Sequence, residues 1–267
     1  MKQFIQKTFN IKLLEFTIVA ALILFFCSNL IFGTISLLSQ GPDCLDQWFF
    51  CYRLENQITR ILGLNPGGIW EGGIFYPFDK VSILFDEPTW GVSLLFAPLW
   101  LFTKNIFLVL MFGGIAALFL SWIFTYYLVK SLGANRLCAF YASAMFCLSS
   151  ISLSLILLHT AFWSFFLLPL LGLITVKIFS TSKISWGILW GVLFGYLAWS
   201  SVHLFVMGGL FLCLFISWNI LFTNHSKKTL QVLLVAFVIA AIIAGAVLVG
   251  FGNSGRHTHK ISQSIRE

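Results

Sequence analysis

The chain has 267 residues, 59% of them hydrophobic and 9% charged, with 30 Phe and 10 Trp. A mean hydropathy of +0.96 excludes a soluble globular domain and points to apolar runs of bilayer-crossing length. The net charge of +7 would suggest nucleic acid in a soluble protein. Here the cations punctuate apolar runs, so they act as topology signals and no nucleic-acid partner is expected.

From the N-terminus, Lys2, Lys7 and Lys12 precede an apolar stretch from about Leu13 to Leu38. It is too long for the hydrophobic region of a signal peptide, and no clear small-residue cleavage site follows. A retained signal-anchor span is expected, with Glu15 snorkelling to the cytoplasmic interface. A polar loop follows, at about 40–105. Beyond it the candidate spans are 106–129, 137–158, 161–179, 184–202, 204–222 and 230–251. The apolar piece Trp90 to Phe102 has 13 residues and contains Pro98. It is short for a crossing and reads as interfacial or re-entrant.

Basic residues arbitrate the topology. With a cytoplasmic N-terminus and 90–102 uncrossed, Lys130, Arg136, Lys177, Lys183, Lys227 and Lys228 all lie inside with the first three lysines. If 90–102 crosses, these six move outside, so the positive-inside rule favours seven spans over eight. The expected fold is therefore all-α: a polytopic transmembrane helix bundle forming a single membrane domain over 1–267. Its large first extracytoplasmic loop, about 40–105, would contain juxtamembrane helices. Its tail, about 252–267, would be external.

The carboxylates are distributed very unevenly. Seven of nine fall in the loop, as Asp43, Asp46, Glu55, Glu71, Asp79, Asp86 and Glu87; residues 88–266 contain none. Acids are costly in hydrocarbon, so this loop is the place to look for chemistry. Asp43 and Asp46 are three apart and would share a helix face at the mouth of the first span. A carboxylate there suits a general base, a metal ligand or a partner for a sugar hydroxyl. Asp86 and Glu87 close the loop near the second membrane entry. A solvated external loop would display the same acids, and no spacing among them is diagnostic.

Arg53, Arg60 and Lys80 interleave with the acids and suit a phosphate or pyrophosphate, or equally lipid headgroups. Trp48, Phe49, Phe50, Trp70 and Trp90 suit sugar stacking or an interfacial aromatic belt. His159 sits at an expected external helix end. Cys44 and Cys51 would be about 10 Å apart on a helix, too far for a disulfide. The pair His257 and His259 lacks a third ligand, so no metal site is assigned. Walker, dinucleotide, Gly-x-Ser-x-Gly and His-Glu-x-x-His signatures are all absent.

The order of features resembles a family. Asp43 and Trp48 open an external loop. Phe75-Tyr76-Pro77, Asp86-Glu87, Ala97-Pro98-Leu99 and Asn105 follow. Tyr127 to Lys130 ends a span, and His159 precedes Trp163 and Pro169-Leu170. Over roughly residues 10–180 this is similar to the GT-C superfamily of integral-membrane glycosyltransferases, in particular to its bacterial mannosyltransferase-like relatives.

The resemblance implies a polyprenyl-phosphate sugar donor and transfer on the extracytoplasmic face of the bacterial inner membrane. It implies Asp43 as catalytic base with Asp46 as alternate, and Asp86 or Glu87 orienting the acceptor or a divalent cation. Arg53, Arg60, Lys80 and His159 would bind the donor phosphate. Partners would be the lipid-linked donor and membrane lipids. Such enzymes commonly continue with further spans or an external domain, so a truncated relative is also expected. Competing readings are a transporter or flippase-like protein for lipid-linked precursors and a non-catalytic membrane scaffold.

Overall fold

A computed structural model describes residues 17–25, 28, 45–65, 89–149, 152, 160–223 and 226–264, and for 45–50, 248 and 250–264 it describes the backbone alone. All described elements are helical. Helix α1 covers 17–25, and α2 is Leu45–Ile61. Helix α3 is Trp90–Thr103, α4 is Ile106–Ser131 and α5 is Arg136–Cys147. A 3-10 stretch, Thr160–Phe166, leads into α6, Leu167–Thr181. Helices α7, Ile184–Ser200, α8, Val202–Phe222, and α9, Lys227–Ser264, complete the order.

Among the described residues, four segments are long and apolar enough to cross a bilayer: Ile106–Ser131, Thr160–Thr181, Val202–Phe222 and Lys227–Val247. The chain is an integral membrane protein. Three further apolar helices, α3, α5 and α7, are shorter. At 1.5 Å per residue the 14-residue α3 reaches about 21 Å, short of a hydrocarbon core of about 30 Å. Helix α9 continues to Ser264, so the backbone of the segment expected to be the tail is helical through that residue.

Local chemistry explains the breaks. Asn105 caps α4, accepting from the backbone N–H groups of Phe107 and Leu108, and Asn135 caps α5 through Cys138. Ser201 ends α7 and caps α8, its side chain accepting from the N–H of Leu204. Lys104 adopts the left-handed conformation at φ 49°, so α3 and α4 form a tight hairpin across two residues.

The close contacts give the directions of the helices. Trp163, 2% exposed, is wedged between Phe96 of α3, at a ring distance of 5.0 Å, and Gly113 of α4, which leaves room for its ring. Leu128 lies against Gly172, so α4 and α6 run parallel. On α7, Gly187, Gly191 and Gly195 face Val232, Ala236 and Ala240 of α9 in step. These two helices are also parallel, the chain reversing through α8 from the end of α7 to the start of α9. The hydroxyls of Ser182 and Thr229 meet at 2.6 Å, and the Trp199 indole donates to the Ile243 carbonyl at 3.0 Å.

The interior has two halves. One gathers α1, α2, α3, the first half of α4 and Trp163; the other gathers α6, α7, α8 and α9 around Trp190. The indole of Trp190 is 1% exposed and donates to Thr175 at 2.9 Å, so its polar atom is satisfied inside the apolar half. Helix α8 turns Val206, Leu210, Phe211, Leu214, Trp218 and Leu221 outward, as a lipid-facing helix should.

A Cβ on Gly191 would fall 2.5 Å from the Ala236 carbonyl oxygen, whereas one on Gly245 would meet nothing within 4 Å. Gly191→Ala is expected to lower stability by about 1–3 kcal/mol, as overpacked sites do. Gly245→Ala should raise it by up to about 1 kcal/mol through helix propensity. Thermal unfolding of the two variants in one detergent checks the opposite signs.

Candidate functional site

The two helices described within the expected loop, α2 and α3, pack on one another. Helix α2 buries Cys51, Leu54 and Ile58, positions three and four apart, so one stripe faces the bundle. Asp46, Arg53 and Arg60 lie at seven-residue intervals, which places all three backbone positions on a single flank of α2 about 10 Å apart in succession. Asp46 stands in the first turn, where the helix dipole favours a carboxylate. Arg53 and Arg60 are half-buried, and Arg60 Nε donates to Asn56 at 3.2 Å.

The pair is fastened by buried polar groups. Gln57 Oε1 accepts from Thr89 Oγ1 at 2.5 Å and from Ser93 Oγ at 2.8 Å. All three residues are buried, at 6%, 1% and 0% exposure. One amide oxygen thus ties the late part of α2 to the start of α3. Further along, the Trp100 indole approaches Glu55 Oε1 at 3.4 Å, and Lys104 Nζ lies 4.4 Å over the Trp100 ring. Late α2 meets early α3 and Glu55 meets late α3, so the pairings run antiparallel.

The same α3 start is clamped to α7. The Tyr196 hydroxyl donates to the Gly91 carbonyl. A Cβ at Gly91 would overlap the Ser200 side chain, so only glycine lets the helices approach this closely. The Trp90 indole N–H beside it is buried and has no hydrogen-bond partner among the described residues. Ser200 and Ser201, at the end of α7, therefore lie at the end of the bundle where α3 begins.

The remaining site expectations divide clearly. Asp46, Arg53 and Arg60 share a flank of α2. Asp43, Lys80, Asp86, Glu87 and His159 lie outside the described residues, as do Cys44, Glu71 and Asp79. Among the described residues no group of three or more His, Cys, Asp and Glu could hold a metal. Gln57, Thr89, Ser93 and Tyr196 are not marked out by the sequence. Their one visible signal was polarity beside an apolar helix, and nothing in it names the partner.

No protein-family model, curated protein or solved structure matches the chain.

Burial pushes the Cys51 thiol up to about 11 from 9.0; a backbone hydrogen bond opposes the shift, and Glu55, one turn away, adds to it. A thiol so raised has about one hundredth of the ordinary thiolate at neutral pH. In a chain retaining Cys51 as its sole cysteine, alkylation should be slow at pH 7 and rise tenfold per pH unit toward 11. A plateau already reached near pH 9 would contradict the burial. For the polar clamp, Gln57→Leu strands two buried hydroxyls and should cost about 1–3 kcal/mol. Adding Thr89→Val and Ser93→Ala should recover part of that loss in the same unfolding measurement.

Proposed function

We propose that this protein is a GT-C-like membrane glycosyltransferase, moving a sugar from a polyprenyl-phosphate donor to an acceptor on the extracytoplasmic face. The observation that carries the reading is the α2 flank: Asp46, Arg53 and Arg60 share one face of a helix clamped to α3. That helix pair sits at the bundle end opposite Lys183 and Lys227. A carboxylate and two guanidinium groups on one rigid helix suit an acceptor that must lose a proton and a donor that carries a phosphate.

The chemistry follows from those groups. Asp43, or Asp46, takes the proton of the acceptor hydroxyl as its oxygen attacks the anomeric carbon. The bond from that carbon to the lipid phosphate breaks, and the phosphate leaves with its charge met by Arg53, Arg60, Lys80 and His159. Asp86 or Glu87 orients the acceptor or a divalent cation. The donor keeps its tail in the bilayer and presents its phosphosugar at the level of α2.

The topology proposed with it is seven spans, with α3 uncrossed, the N-terminus in the cytoplasm and the membrane that of a bacterial cell. Its support is the common end shared by Lys130, Arg136, Lys177, Lys183, Lys227 and Lys228. The competing reading is a transporter or flippase-like protein for lipid-linked precursors. The absence of any carboxylate between residues 88 and 266 counts against an ion-coupled pathway through the later spans. A non-catalytic scaffold is the third reading.

Transfer from polyprenyl-phosphate sugars is expected to fall by about 100-fold or more in Asp43→Asn, with Asp46→Asn and Glu87→Gln as companions at matched expression. Full activity in all three would sink the acidic site, and an inactive wild type would favour the scaffold. Lys130→Cys and Lys227→Cys should react only with membrane-permeant reagents; labelling by an impermeant maleimide from outside would reject the seven-span arrangement.

A further inference from the structure

We propose that the basic end of the bundle is a docking surface for anionic phospholipid headgroups, centred on the adjoining starts of α7 and α9. This does not depend on the reaction proposed above. The two parallel helices come together through Gly187 and Val232, and the hydroxyls of Ser182 and Thr229 meet between them. Ser226 completes a hydroxyl trio, its Oγ 3.0 Å from that of Thr229. Around it stand Lys183, Lys227 and Lys228, all exposed, with exposed Lys177 in the last turns of α6. Lys130, at the end of the parallel α4, donates to the Ala134 carbonyl and keeps further donors.

Three features fit this surface to a lipid phosphate. First, the stretch from residue 88 to 266 contains no carboxylate, so α4 to α9 supply no acid to neutralise these lysines. Second, the starts of α7 and α9 place two positive helix ends side by side. Lys183 makes no side-chain cap on α7, and neither helix has an acid in its first turn; Ser226 Oγ accepts from the Thr229 N–H of α9 at 3.2 Å, and the leading N–H groups of each helix have no intrahelical acceptor. Third, exposed apolar side chains continue directly from the cations: Ile184 and Ile188 on α7, Leu230 and Leu234 on α9. A cationic rim above an apolar wall matches a molecule with an anionic head and acyl chains, whereas a soluble anion would use only the rim.

The test uses the full chain in phosphatidylcholine bilayers with or without a minor share of phosphatidylglycerol. It reads which phospholipid stays bound after mild detergent extraction, together with the unfolding temperature. Wild type should retain phosphatidylglycerol selectively and unfold at higher temperature when it is present. The triple variant Lys183→Gln, Lys227→Gln, Lys228→Gln should lose on the order of 100-fold in that selectivity, from about 1 kcal/mol per surface cation. The corresponding triple change to Arg should retain it, which separates lost charge from a folding defect. Lys104→Gln, at the opposite end, should also leave it intact. Equal selectivity in wild type and the Gln triple variant would overturn the proposal, as would equal loss in Lys104→Gln. Inorganic phosphate reproducing the full thermal shift in phosphatidylcholine alone would replace the lipid with a free anion and likewise overturn it.

Discussion

The backbone approach of α7 to α9 is the constraint on which the rest of the bundle hangs. Inside a bilayer, helices gain no hydrophobic advantage by touching, since lipid is as apolar as leucine; they associate by close packing. Gly187, Gly191 and Gly195 give α7 a face with no side chains, and α9 meets it with Val232, Ala236 and Ala240, all buried. Carbonyl oxygens of α9 lie where glycine Cβ atoms would otherwise stand. This close seam fixes α7, and α7 then presents Trp190 to α6 from one end and Tyr196 with Ser200 to α3 from the other.

Through that second contact the seam reaches the candidate site. Helix α3 is pinned to α7 at Gly91 and to α2 at Gln57, so α2, with its flank of Asp46, Arg53 and Arg60, is positioned by a chain of contacts beginning at α9. Trp163 makes a second connection by filling the space between Phe96 and Gly113. Both joints use glycine for approach and a large aromatic or a buried amide for direction. Packing alone would let an amphipathic helix such as α2 slide along its apolar stripe; the two hydrogen bonds into Gln57 set its register.

The polarity of the molecule has the same source. Acids are concentrated in the loop segment containing α2, lysines gather at the opposite end, and the apolar seam runs between them. Asp46, Arg53 and Arg60 share a flank of α2, while Lys183, Lys227 and Lys228 stand at the starts of α7 and α9, and the chain from α4 to α9 carries no carboxylate.

The helical class and the main apolar segments were legible in the sequence, because runs of about 20 apolar residues have few other uses. The breaks before residue 106, at 130–136 and at 180–183 followed from the polar ends of apolar runs, whereas the capping roles of Asn105 and Asn135 appear only in the structure. The uneven carboxylates singled out the segment that contains α2, but not the helix α3 on which α2 packs. The repeated four-residue spacing of Gly187, Gly191 and Gly195 was visible too, although only its partner stripe on α9 gives it meaning. What the tertiary structure decided was pairing: that α7 runs parallel to α9, that Trp163 wedges between α3 and α4, and that Gln57 receives both Thr89 and Ser93. Periodicity is a property of one helix and can be read along the chain. A contact is a property of two, and its partner, direction and register exist only once both helices are placed.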